Sequence, residues 1–468
     1  MSEEKKHALG EDLVALAAAL FAGVFAYAWI GRLGLKAMVL LLLSVGFFFA
    51  GRKRLAAKAR QRVSLWGKVL FTLVGIAALL RHPISVPMMD ANGQPIPGSD
   101  GGLEPIYTAL VDFVGNVDGS TFLLFAFIAM AVKFVGVISS AFAWHLLLVG
   151  QGIRYPFWQK IMTSFLIGRF IGTFMPSTIG LDGYTLYEAG RYSNKWPRAI
   201  TAKVLEKFIG VTGLFLGMVL TLPFGYSVLQ DVCVSLGKPD AAPVLAGAIL
   251  AVAGGVSLVV IIGLVWPVLL TGSLRLFGKI MPGKIRKEIN KFADAAGAYK
   301  GQVKLLFLVL LSKFITHFTT AMVYFFTALA IGVVAASFWP IVFGSTIQIF
   351  ATLFSPTIAG EGAREAFQTL LLANQLEPSD PALQGMGIGE VRAVLSAALG
   401  FIAAEAATMW GGAFLLTRRP GWRPNFALVD GEQVSYDWID DNEDGSFSAE
   451  KLAEKRREAA ESQSPVST

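Results

Sequence analysis

The sequence predicts an all-α polytopic membrane protein, and three observations carry that prediction. Of the 468 residues, 54% are hydrophobic and only 16% are charged, where soluble domains carry about 25% charge. The apolar residues gather in runs that reach about 30 Å as helices, at about 1.5 Å per residue, enough to cross a hydrocarbon core. Glycine, at 49 residues, exceeds its usual share of about 7%, as close packing of membrane helices through small residues requires. We expect about eight full transmembrane helices, near 13–31, 35–50, 64–80, 121–150, 199–223, 243–271, 305–331 and 392–416, plus two re-entrant broken-helix hairpins near 161–190 and 338–375.

The first three spans and an external loop make up 1–120. Lys5 and Lys6 precede the first apolar run and Ala26-Tyr27-Ala28 resembles a signal-peptidase site, but Glu3, Glu4, Glu11 and Asp12 give the leader mixed charge, so we read a helix and not a cleaved peptide. Arg52, Lys53, Arg54, Lys58, Arg60 and Arg62 follow the second run with no acid among them and belong in the cytoplasm. The 81–120 loop, with Asp90, Asp100, Glu104, Asp112 and Asp118, belongs outside. A first repeat covers 121–272 and a second 305–416. The 273–304 linker between them mixes many lysines and arginines with apolar residues spaced near a helical turn, Tyr299 among them. It reads as a cytoplasmic amphipathic helix on an anionic leaflet, although loop topology alone explains its charge equally well. The 417–468 tail reads as disordered and cytoplasmic, with Arg418, Arg419 and Arg423 at its start.

The two hairpins carry the most specific signal. Thr178-Ile179-Gly180-Leu181-Asp182-Gly183 and Thr357-Ile358-Ala359-Gly360-Glu361-Gly362 share Thr-Ile, an acid and a following Gly. Each follows an apolar run of roughly 16 residues, short of a full crossing, and each contains a nearby Pro. Loop charges are consistent only if both segments return to the side they came from, the first from the cytoplasm and the second from outside. An inverted repeat whose halves meet near the bilayer midplane follows as the expectation.

At these residues the chain resembles a known family. Ala143-Trp144-His145-Leu146-Leu147, Phe170, Pro176, Ile179-Gly180-Leu181-Asp182 and Gly360-Glu361-Gly362-Ala363-Arg364-Glu365 are similar to the membrane domain of lysylphosphatidylglycerol synthetases and their flippase-like relatives, over about 120 to 416. Glu206-Lys207 stands where that family has a Glu-Arg pair. Leu181, Thr185 and Lys207 depart from the family pattern, two of them at arginine positions, so the head-group preference implied here differs. About 50 residues follow the last span, so the resemblance implies the membrane half without the soluble aminoacyl-transferase domain, and with it movement of lipids between leaflets.

A carboxylate at membrane depth costs about 2.5–3.5 kcal/mol on insertion scales, so it faces a cavity or a partner. Asp182 and Glu361 therefore line a polar path, or cap the returning half-helices, which are compatible roles. Arg364 and Glu365 share a helical face with Glu361, either as an ion cluster satisfied within itself or as a phosphate clamp. Arg169 and Glu206 complete the candidate substrate contacts; Lys203, Glu206 and Lys207 are also close enough to the cytoplasmic end to act as interfacial anchors, and Glu188 reads as interfacial. Glu405 and Lys133 fall deep in their spans, and Lys313 and His317 share one face of theirs. They form either a structural pair such as Lys133–Glu405 or a proton or ion relay through Glu405, His317 and Lys133.

The tail run Asp440-Asp441-Asn442-Glu443-Asp444-Gly445 follows the start of a calcium loop, with Asp440, Asn442 and Asp444 as ligands, but Lys451 stands where the bidentate Glu belongs. A solvated acidic tail is the better reading. Four dispersed histidines and the single Cys233 offer no metal cluster and no internal disulfide, and no cofactor motif is present. The partners expected are membrane lipids, an anionic phospholipid among them, and not nucleic acid; the location expected is the inner membrane, with both termini cytoplasmic. Besides a lipid transporter, the residues admit a membrane-embedded transferase on a lipid-linked substrate, with Asp182 and Glu361 as acid and base, or an accessory protein acting through its tail.

Overall fold

The computed structural model describes residues 103–115, 117–173, 179–266, 297–333, 336–353, 362–378 and 387–417, with short or isolated stretches within 77–85, 286–295 and 427–434. The three spans expected before residue 81, the calcium-loop-like run and Glu361 lie outside the described residues.

Among the described residues, five helices are long and apolar enough to cross a membrane: Gly119–Gly150, Trp196–Thr221, Pro239–Val265, Val303–Ala330 and Ile388–Thr417. Each coincides with an expected span to within a few residues. Their outward faces are apolar, as Leu123 (69% exposed), Phe127 (66%) and Val244 (74%) show, which suits lipid and would be a liability in water.

In chain order the helices are α1 (Ile106–Gly115), α2 (Gly119–Gly150), α3 (Thr163–Thr173), α4 (Ile179–Ser193), α5 (Trp196–Thr221), α6 (Tyr226–Ser235), α7 (Pro239–Val265), α8 (Val303–Ala330), α9 (Phe338–Leu353), α10 (Ala363–Leu372), α11 (Ile388–Ala406) and α12 (Trp410–Thr417). A π-helical turn, Phe157–Met162, leads into α3. The long helices α2 and α8 pack along their length. Lys133 meets Thr320, Gly136 meets Thr316, Ser140 meets Lys313 and Leu147 meets Tyr299. The numbers rise on one helix as they fall on the other, so the two run antiparallel. α5 and α11 pack against this pair.

Each half thus runs long helix, short arm, short arm, long helix. The arms are short because the sequence breaks them: α3 has 11 residues, α9 has 16 and α10 has 10, so none reaches about 30 Å at about 1.5 Å per residue. In the first half α3 and α4 pack side by side, with Gly172 against Gly180, Gly168 against Leu181 and Ser164 against Glu188. A Cβ on Gly180 would lie 2.5 Å from Gly172 Cα, so only glycine permits this approach. In the second half Gly344 of α9 abuts Leu372 of α10. The contacts of the first pair rise in number on α3 as they fall on α4, so those two arms run antiparallel. Because α2 and α8 run in opposite directions and each hairpin follows the C-terminal end of its long helix, the hairpins attach at opposite ends of the α2/α8 pair.

Two expectations need correction here. Tyr299, placed on a leaflet by the linker's amphipathic spacing, is 1% exposed and donates to the Leu147 carbonyl at 2.6 Å, while Gln302 donates to Gly150 at 3.0 Å. The end of the linker thus docks on α2, and desolvation of that phenol pushes its pKa upward. The 417–468 tail is not wholly without structure: Ala427–Val429 pairs antiparallel with Ile153–Arg154 and with Glu432–Val434. Ile153 is fully buried there, so part of the tail is fastened beside the entry to the first hairpin.

Candidate functional site

The ionisable residues inside this bundle sort into three groups. The first is a chain of alternating charge across α4, α5 and α8. Lys207 and Lys203 both face Asp182, the latter at 3.8 Å. Lys203 Nζ also donates to Thr185 at 3.0 Å and to Glu206 Oε2 at 2.6 Å, and it lies 3.8 Å from the centre of the Trp144 ring. Lys313 Nζ completes the chain, donating to Glu206 Oε1 at 2.6 Å and to Ser140 at 3.0 Å. The i, i+3 spacing of Lys203 and Glu206 puts both on one face of α5, where Gly213 lets α8 approach closely enough for Lys313 to reach in.

The second group gathers near the arms of both hairpins. Arg169 of α3 lies 3.9 Å from Glu405, which also accepts from Thr173. Lys133 donates to Thr320 at 3.1 Å and stands within electrostatic reach of Arg169, Glu405 and Arg364. Arg364 lies over the Phe401 ring at 4.5 Å and 4.0 Å from Glu365. Glu365 accepts from the Gly362 backbone N–H at 2.7 Å, which caps the start of α10. Gly362 has φ of 77° there, a conformation that favours glycine.

The third group, at the base of the first hairpin, is closed. Lys160 donates to Glu188 at 2.7 Å; Glu188 also accepts from Ser164 and, at 3.0 Å, from Tyr184. Lys160 also lies 3.9 Å from the centre of the Tyr192 ring.

Several sequence expectations change against this geometry. Lys203 and Glu206 are not interfacial anchors: both are buried and bonded to each other, whereas Lys207 is half-exposed. Glu188 is buried and paired, not interfacial. Glu405, one residue before α11 ends at Ala406, meets Arg169 at 3.9 Å and stays within electrostatic reach of Lys133, so the expected Lys133–Glu405 pair becomes a cluster of three. The break after Ala406 aims α12 back at α3, where a Cβ on Gly411 would lie 2.1 Å from the Leu166 carbonyl oxygen. His317 lies beside the Gly210 backbone, with Lys313, Lys133 and Lys207 as its charged neighbours. Glu365 is occupied as a cap.

The structure joins Asp182 to Glu206 through Lys203, brings Arg169 to Glu405, and sets Lys133 within electrostatic reach of both Arg169 and Arg364. Membrane-embedded lysines near helix ends ordinarily snorkel outward; Lys203 does not, because the acid at i, i+3 holds it inside. Among the described residues of these first two groups, the cations Lys133, Arg169, Lys203, Lys207, Lys313 and Arg364 outnumber the acids Asp182, Glu206, Glu365 and Glu405. Such an interior attracts an anion.

A family model described as the lysylphosphatidylglycerol synthase TM region matches residues 108–400. No curated protein and no solved structure shows significant similarity to the chain.

Proposed function

Because this chain belongs to the lysylphosphatidylglycerol synthase transmembrane-region family, and is therefore a multi-pass membrane protein of a lipid-related pathway, we propose that it moves a phospholipid head group between leaflets. The path is a groove between its two hairpins. The observation that carries this reading is the delivery of ionisable side chains to the interior by short arms attached at opposite ends of the α2/α8 pair. Asp182 and Arg169 come from the first hairpin, Arg364 from the second. The opposed long helices support an inverted repeat with two re-entrant hairpins, an arrangement suited to exposing one site alternately to each side. In this reading Arg169, Lys133 and Arg364 meet the lipid phosphate, guanidinium forks being suited to that geometry. Asp182 and Glu206 hold Lys203 and Lys313 in place between the halves. The loop charges orient the protein in an inner membrane with both termini cytoplasmic.

The transferase reading finds less support. A catalytic carboxylate must be free to take or give a proton, and Asp182 is held by two ammonium groups. The test is leaflet exchange of labelled lipids in vesicles carrying the purified protein. Wild type is expected to accelerate exchange over empty vesicles, and Arg169→Gln and Arg364→Gln to lose about tenfold or more, since a hydrogen bond to a charged group contributes about 1.5–3 kcal/mol. Exchange no faster than in empty vesicles, for every lipid class, overturns the reading.

A further inference from the structure

The second hairpin holds a polar patch that the charged groups do not use. Gln368 on α10 is fully buried, and neither its Nε2 nor its Oε1 has a hydrogen-bond partner. On α9, Ser345 Oγ and Gln348 Oε1 are also buried without a partner, at 0% and 1% exposure. The register of the hairpin relates them. Gly344 abuts Leu372, and an antiparallel hairpin with that contact puts the residues one helical turn along each arm, Gln348 and Gln368, at the same level. One further turn reaches Thr352 and Arg364. The amides therefore lie about one turn nearer the base of the hairpin than the arginine. Buried amides are almost always satisfied, and one left without a partner is worse than an apolar side chain of the same shape. Three such side chains at neighbouring levels of one hairpin call for a ligand.

We propose that Ser345, Gln348 and Gln368 form a neutral subsite for the hydroxyl groups of a lipid head group whose phosphate lies at Arg364. This rests on the lipid-transport reading and names its cargo class, a hydroxyl-bearing head group without an ammonium. An amide both donates and accepts, as a hydroxyl does, whereas an ammonium only donates. None of the three residues is acidic. The nearest carboxylate by sequence, Glu365, already accepts from Gly362 and faces Arg364. The surplus of cations in the adjoining groups repels an ammonium-bearing head group and admits an anionic one.

The test compares two lipids of equal charge and identical acyl chains, phosphatidylglycerol and phosphatidylmethanol, which differ in head-group hydroxyls. Phosphatidylethanolamine is the ammonium arm. Full-length protein in detergent is equilibrated with an equimolar mixture, and the retained lipids are identified by native mass spectrometry. Wild type is expected to favour phosphatidylglycerol over phosphatidylmethanol by about tenfold, the effect of one or two hydrogen bonds, and to retain phosphatidylethanolamine least. The double variant Gln348→Leu, Gln368→Leu is expected to lose the preference while melting no lower than wild type. Equal retention of the two anionic lipids by wild type means that the amides hold water alone, and overturns the subsite. So does a folded double variant that keeps the full preference. Retention is read without leaflet exchange, so a wild type that discriminates but does not exchange lipids overturns transport and leaves the subsite standing.

Discussion

Replacing Glu206 with Gln isolates the energetics of the alternating chain. The Glu206 side chain is 6% exposed, and each of its oxygens accepts from an ammonium at 2.6 Å. Lys203 and Lys313 are themselves only 9% and 8% exposed. Neutralising the carboxylate leaves two buried cations facing an amide, and breaking a buried pair in this way costs about 3–5 kcal/mol. Lys207 shares Asp182 with Lys203 but is 50% exposed, so Lys207→Met is expected to cost no more than about 1 kcal/mol. Cys233, the chain's single cysteine, is buried, and its labelling by a thiol-reactive dye reports opening directly. In detergent, the population with Cys233 exposed should rise about a hundredfold or more in Glu206→Gln and hardly at all in Lys207→Met. Adding Lys313→Met to Glu206→Gln removes an orphaned charge and should recover much of the loss. If Glu206→Gln labels within a factor of about five of wild type, or if Lys207→Met is as damaging, burial does not govern this network and the reasoning fails.

Gly180→Val drives a side chain into the Gly172 backbone, which sits 2.5 Å from the position of a Cβ. It should destabilise by about 1–3 kcal/mol, read by the same thiol-labelling melt; a neutral result would mean that the arms are not in contact. Gly362→Ala keeps the Glu365 cap but forces alanine to φ 77° and ψ −43°, outside the left-handed helical well, a cost of about 1–3 kcal/mol to be read in denaturant melts. Lys160→Met leaves Glu188 buried without its cation and should cost about 3–5 kcal/mol. Following it with Glu188→Gln should restore stability, and failure to do so in denaturant melts would argue that Ser164 and Tyr184 alone hold the carboxylate.

The long spans were legible because hydropathy over about 20 residues leaves few alternatives to a crossing helix. The short arms were legible for a different reason: Pro, Gly and an acid interrupt a run already too short to cross. What the sequence concealed was partnership. Glu405 reads as central to its apolar segment, and nothing in its neighbours along the chain marks the contact with Arg169. Lys203 and Lys313 sit 110 positions apart in the chain, and their common hold on Glu206 exists only because α5 and α8 pack side by side. The unpartnered glutamines are equally silent, since a Gln among apolar residues looks like a tolerated polar position until its neighbours prove unable to satisfy it.

The placement of the charges bears on why they persist. A buried ion pair contributes little net stability over an apolar replacement, so the alternating chain is poorly explained as structural reinforcement. Its position is more telling: Asp182, Lys203 and Glu206 belong to the first half and Lys313 to the second, and Glu206–Lys313 is the ion pair of this chain that crosses between them. If the halves move against one another, that bond must break or travel with the motion. In the transport reading, a head-group phosphate passing from the Arg169, Lys133 and Arg364 group toward Lys313 is the natural substitute for Glu206, which couples occupancy to movement. Lys313→Met should then weaken the dependence of exchange rate on head-group charge more than it weakens exchange itself. Equal loss for anionic and zwitterionic lipids in the vesicle assay would show that Lys313 serves packing alone.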